Sequence, residues 1–289
     1  MTPTAEPPVT ATKSWRKAGW FALLLAICYA PVLYSLVGDW ERDADMGHGF
    51  FVPLIAGYIV WQKREALMAV TPKPNMWGVL PVLLGGALLM IGTLGAEVFT
   101  TRVAFVISVI GAVWLAGGSQ ILKMVSFPLF LLFFMIPIPA IIYNSVTFPL
   151  QILASQLAAE VLWIVGIPVS REGNILELPS QRLSVVEACS GIRSLLSLAF
   201  CSLFFGYFYE QRKWLRVVLF VATIPIAILA NGSRVTITGI LAEIKPELAE
   251  GFFHESTGWV IFMIALGFLV FFHQVVQRVA KRVEAKGNA

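Results

Sequence analysis

Three short segments of the chain carry residues able to do covalent chemistry, and each borders or interrupts an apolar run. VVEACSGIRSLLSLAF (185–200) holds Cys189 and Arg193, ILANGSRVTITG (228–239) holds Asn231 and Arg234, and GFFHESTGWVIF (251–262) holds His254. Cys189, followed by Ser190 and Gly191, falls where a helix should start. Oriented backbone N–H groups and the positive end of the helix dipole favour thiolate there. Arg193 lies one turn deeper, and Arg234 lies inside a second apolar run. A charge in a span is costly and usually faces the protein interior. A thiol, an imidazole and a guanidinium together supply a nucleophile, a proton carrier and an anion stabiliser for acyl transfer. His254 would deprotonate Cys189 or pair with its thiolate, then protonate the departing amine. Arg234 would hold the oxyanion or an acidic substrate group through its planar fork, and the first product would be a thioester. Taken singly the residues have plainer readings: an interfacial cysteine, an arginine snorkelling to headgroups, and an interfacial histidine.

The elements that must position them are membrane helices. In 289 residues, 58% are hydrophobic and 13% charged, with mean hydropathy +0.80, too apolar for a soluble domain. Apolar runs near 18–37, 49–62, 77–95, 100–117, 125–143, 190–208, 216–237 and 256–275 predict an all-α polytopic membrane protein of about eight transmembrane helices. The second run is short. Threaded in this way, most basic residues fall on one side, among them Lys13, Arg16, Lys63, Lys73, Lys123, Arg212, Arg216 and Lys281. The positive-inside rule then makes both termini cytoplasmic and places the three segments on the outer face. That distribution accounts for the net charge of +4 without nucleic acid. The first run lacks a small-residue cleavage site and is expected to remain as the first span.

Residues 1–17 are expected to form a flexible cytoplasmic tail, 18–276 a single transmembrane catalytic domain, and 277–289 a basic cytoplasmic tail. Within that domain, 144–188 should make an extracytoplasmic cap. FPLQILASQLAAEVLWIVG (148–166), with Gln151, Ser155, Gln156 and Glu160 at helical spacing, reads as an amphipathic helix lying on the membrane, or as a re-entrant one. Turn signals at Glu172-Gly173-Asn174 and Pro179-Ser180 predict a β-ribbon that leads to Cys189.

Other polar residues have narrower readings. Asn231-Gly232-Ser233 implies close helix contact and a polar pocket beside Arg234. His48, in DADMGHGF, either orients substrate or is a capped loop histidine. His273 lies near the opposite membrane face and is excluded from the site. Cys28 and Cys201 fall mid-span and read as packing thiols. The cysteines show no metal-ligand spacing, and neither a metal nor an organic cofactor is expected.

EACSGIRSL, NGSRV and HESTGW, in that order and each at the outer end of a span, resemble the exosortase branch of the exosortase and archaeosortase family. GHGFFVPLI (47–55) is similar to that family's early Ser-His-Gly segment, with Gly47 in place of serine. The resemblance covers about 20–275. It implies an inner-membrane cysteine enzyme, sortase-like in chemistry, acting on proteins with a C-terminal Pro-Glu-Pro motif, a transmembrane helix and a basic tail. It also implies a link to exopolysaccharide production. Carried over by residue, Cys189 is the nucleophile with Arg234 and His254 as partners. An acidic group of the motif could pair with Arg193, Arg234 or Arg182. A transporter or lipid-linked glycan carrier using Arg193 and Arg234 as anion ligands is the rival reading, with a non-catalytic polysaccharide assembly factor as a third. Within the enzyme class, hydrolysis and transpeptidation are both open.

Overall fold

A computed structural model describes residues 9–185, 192–245, 247 and 251–287, with backbone only at 9–18, 44–45, 192–194, 251–255 and 284–287. It divides into two compact units, Met1–Pro139 and Ala140–Ala289.

The first unit contains α1 (Val9–Cys28), α2 (Ala30–Arg42), a 3-10 turn over Ala44–Phe50, α3 (Phe51–Gln62), α4 (Arg64–Ala69), α5 (Val79–Leu94) and α6 (Val98–Leu131). The expected first span is bent: Gly19–Cys28 and Ala30–Arg42 meet at 70°. Pro31 in the first turn of α2 lacks the N–H that would continue α1. Tyr29 at the bend is buried, and its hydroxyl lies 2.8 Å from Ser108 Oγ and donates to Gly85 O at 3.2 Å. Helices α5 and α6 pack closely because Gly85 and Gly92 face Ser108 and Thr101, where a Cβ would collide. Small residues let membrane helices approach in this way. Arg102, 3% exposed near the start of α6, is answered by Asp39 Oδ2 at 2.6 Å and Ser35 Oγ at 3.2 Å.

In the second unit, α7 (Ala140–Ile164) is followed by β1 (Ser170–Glu172), β2 (Ile175–Glu177) and β3 (Arg182–Ser184), then α8 (Ile192–Tyr209), α9 (Lys213–Ile244) and α10 (Gly251–Gly287). Helix α9 is the central element, packed against α7, α8 and α10. The strands form an antiparallel meander with Glu172 opposite Ile175 and Leu176 opposite Leu183. Gly173, at φ +64°, supplies the left-handed residue that its two-residue turn requires. The ribbon docks through Leu176, Leu178, Leu183 and Val185, which share a buried cluster with Ala158 and Leu162 of α7 and Val235 and Ala242 of α9. Glu243 Oε1 fixes the second turn by accepting from Ser180 N at 3.0 Å and Ser180 Oγ at 2.6 Å.

The chain is largely helical with a small three-stranded sheet, as expected, but the span pattern differs. Among the described residues five helices are long and apolar enough to cross a membrane, and six if the bent α1–α2 pair counts as one. The run 100–117 and the first part of 125–143 are arms of one element, Val98–Met135, broken at Gly118, where φ is +80°, and the end of the second run opens α7. Pro137 and Pro139 then end that element. Helix α7, expected to lie on the membrane or to be re-entrant, has the length and apolarity of a span. Gln151 and Ser155 are buried rather than solvated. Ser155 Oγ donates to Gly173 O at 3.0 Å, and Asn174 Nδ2 donates to Gln151 Oε1 at 3.0 Å. The helical polar spacing was real, and the ribbon answers it at Gln151 and Ser155, while Gln156 and Glu160 are exposed. Cys28, expected to pack, is exposed at the end of α1. α1 begins at Val9, within the segment read as a tail, and α10 runs on to Gly287.

Candidate functional site

Local packing divides the NGSR segment of α9 between two neighbours. A Cβ at Gly232 would stand 3.2 Å from Leu157 Cβ, so this residue meets α7. Two residues on, Arg234 turns to α10, where its guanidinium covers Gly258: a Cβ there would stand 2.9 Å from Cζ and 3.0 Å from Nη2. His254 precedes Gly258 by four residues, one turn earlier on the same face of α10. Asn231 precedes Arg234 by three residues and is 6% exposed. The close helix contact expected of this segment is therefore present at Gly232.

One turn earlier along α9 lies an apolar cluster. Leu198 of α8, Ala227 of α9 and Ala265 of α10 form a cluster joined by Leu195, Ile226, Ala230, Phe262 and Leu266. Asn231 and Arg234 each lie one turn beyond members of that cluster, Ala227 and Ala230. Cys189 lies outside the described residues, and so do the side chains of Arg193, whose backbone lies in the first turn of α8, and of His254. Before the gap, Val185 is fully buried with Val235, and its N–H donates to Asn174 O at 3.0 Å. Arg182, on β3, pairs with Glu177 Oε1 at 2.6 Å and is 71% exposed. His48 belongs to the first unit, with Nε2 3.1 Å from Phe134 O. Its neighbour Gly49 has no room for a side chain against the Trp40 indole, whose Nε1 donates to Met135 O at 2.8 Å.

Two charged constellations had escaped the sequence reading. One is Arg102 with Asp39, whose signal was a lone arginine in the apolar run VFTTRVAFVISVIG (98–111). The other joins α10 to the loop after α8: His273 Nε2 lies 3.2 Å from Glu210 Oε2, both residues at most 5% exposed. Glu210 Oε1 accepts from Arg212 N at 2.9 Å, and its carbonyl accepts from Arg216 Nε at 2.7 Å. Burial works to raise the Glu210 carboxyl, but the Arg212 N–H, His273 and the Arg212 charge hold it below the ordinary glutamate value. His273 is nineteen residues from His254 along one helix, about 28 Å, so its exclusion from the segment of Arg234 and His254 agrees with this placement.

Bundled apolar helices, broken spans and the buried Arg102 guanidinium define a multi-pass membrane protein. The family model described as transmembrane exosortase matches residues 40–271, and the chain belongs to that family. No curated protein and no solved structure matches it.

Proposed function

We propose that the protein is a membrane cysteine transpeptidase or protease that cleaves C-terminal Pro-Glu-Pro-type sorting signals on the extracytoplasmic face. Cys189 is the nucleophile. Its thiolate sulfur bonds to the scissile carbonyl carbon while the carbonyl π electrons move to oxygen, facing Arg234. Collapse restores C=O and breaks C–N, and the departing amine takes the proton that His254 removed from the thiol. A thioester and a free C-terminal fragment result. An acceptor amine or water then resolves the thioester.

The observation that carries this reading is the Arg234 guanidinium seated on Gly258, one turn from His254 on the same helix face. Chain length supports Cys189 joining them. It follows Val185, which shares a buried cluster with Val235, by four residues, a stretch that reaches at most about 14 Å. Arg193, Arg182, His48 and Asn231 are the residues we assign to substrate. Arg182 would have to exchange Glu177 for an acidic group of the motif. A substrate held by its own transmembrane helix slides laterally to the site, its basic tail staying cytoplasmic with both enzyme termini. Partners are such substrates, membrane lipids and exopolysaccharide machinery, in a bacterial inner membrane.

Co-expression of a tagged substrate with wild-type or Cys189→Ala enzyme tests this. Processing is lost in the variant at normal membrane abundance. Undiminished processing would mean that Cys189 is not the nucleophile.

A further inference from the structure

Asn231 is an expensive residue for its position. It lies inside the long helix α9, where Asn is a weak helix former. At 6% exposure, its Nδ2 has no acceptor among the described residues. A buried amide N–H without an acceptor costs stability that an apolar side chain of similar size would not. Neighbouring positions show that the fold makes no such demand, since Ala227, one turn earlier, and Ala230, the residue before, are packed in an apolar cluster. Polarity on this part of α9 starts at Asn231 and continues at Arg234.

We infer that Asn231 is the second donor of an oxyanion cradle, its carboxamide N–H and the Arg234 guanidinium together receiving the oxygen of the scissile carbonyl. This rests on the acyl-transfer reading above and adds a catalytic residue to it. Positions three apart on a helix are surface neighbours, roughly 5–6 Å between Cβ atoms, so a short amide and a long guanidinium can converge on one atom. Their contributions differ. Arg234 supplies fixed charge, and Gly258 leaves room for it. Asn231 supplies a neutral donor already out of water, which needs no reorganisation as charge develops. The missing partner is then the substrate carbonyl oxygen, most strongly bonded when it carries negative charge.

The test uses the full-length enzyme in membranes with a Pro-Glu-Pro-type substrate, measuring turnover, KM and thermal stability for Asn231→Leu and Asn231→Asp. A donor role lowers kcat roughly a hundredfold or more, with KM little changed. Asn231→Leu meanwhile melts at or above the wild-type temperature, a divergence that a purely structural asparagine would not produce. If Asn231→Leu is degraded, Asn231→Asp carries the test, being equal in size but lacking the N–H donors. Wild-type turnover in either folded variant overturns the inference. Cys189→Ala in parallel separates the two claims: if it still processes substrate, the acyl-transfer reading fails, and if only the Asn231 variants do, the cradle alone fails.

Discussion

The Arg234 guanidinium occupies the space that any side chain at residue 258 would need, with Cζ, Nη2 and Nε all within 3.2 Å of an ideal Cβ there. Gly258→Ala therefore has to displace the end of Arg234 while leaving the helical backbone able to accept it. We expect processing to fall about tenfold or more, as for groups held slightly out of reacting geometry, with unchanged membrane abundance. Combined with Arg234→Lys, whose narrower ammonium lacks the planar fork, Gly258→Ala should add little further loss. Additive losses in the double variant would show that Gly258 acts elsewhere.

Arg234→Lys keeps the charge and removes the fork. If the two-donor geometry matters more than charge, turnover drops nearly as far as in Arg234→Ala. Substantial activity in the lysine variant, measured by the rate of substrate cleavage, would instead assign Arg234 a simple electrostatic role.

Glu210 and His273 tie the loop after α8 to the middle of α10. Removing the imidazole by His273→Ala leaves a buried carboxylate one partner short and is expected to cost about 1–3 kcal/mol. The folded Glu210 carboxyl is held below its ordinary value, so its contribution is intact above the unfolded glutamate range and drains as pH falls through the folded value. Glu210→Gln should flatten this acid limb of the melting-temperature profile in detergent. An identical limb in the variant would remove Glu210 as its source.

In the first unit, Asp39→Ala strands the buried Arg102 guanidinium. We expect about 3 kcal/mol of destabilisation, toward the low end for broken buried pairs because Asp39 is partly exposed. Adding Arg102→Leu should recover much of it, since an apolar pair avoids the uncompensated charge. A double variant no more stable than Asp39→Ala would contradict this account, with thermal melting of the purified protein as the measurement.

Apolar run length and polar punctuation made the membrane class and the ribbon turns legible in the sequence. Both ribbon turns were marked by Gly173 and by Pro179-Ser180, where the local backbone dictates residue type. The packing of helix α7 was hidden because Gln151 and Ser155 look the same whether they face headgroups or the Asn174 amide and Gly173 carbonyl of the ribbon, and only tertiary contact distinguishes these. The break at Gly118 was hidden, since a glycine inside an apolar run carries no sign of a positive φ. Glu210 and His273 are sixty-three residues apart, and no local pattern announces such a pair. Gly258 was visible in HESTGW, but the reason for it lies on another helix.

The most direct measurement is capture of the acyl-enzyme with hydroxylamine, which attacks thioesters and leaves a hydroxamate on the cleaved substrate. Wild-type enzyme should yield substrate ending in a C-terminal hydroxamate by mass spectrometry, and Cys189→Ala neither hydroxamate nor cleavage. Cleavage by wild-type enzyme with no hydroxamate, persisting in Cys189→Ala, would contradict a thioester on Cys189.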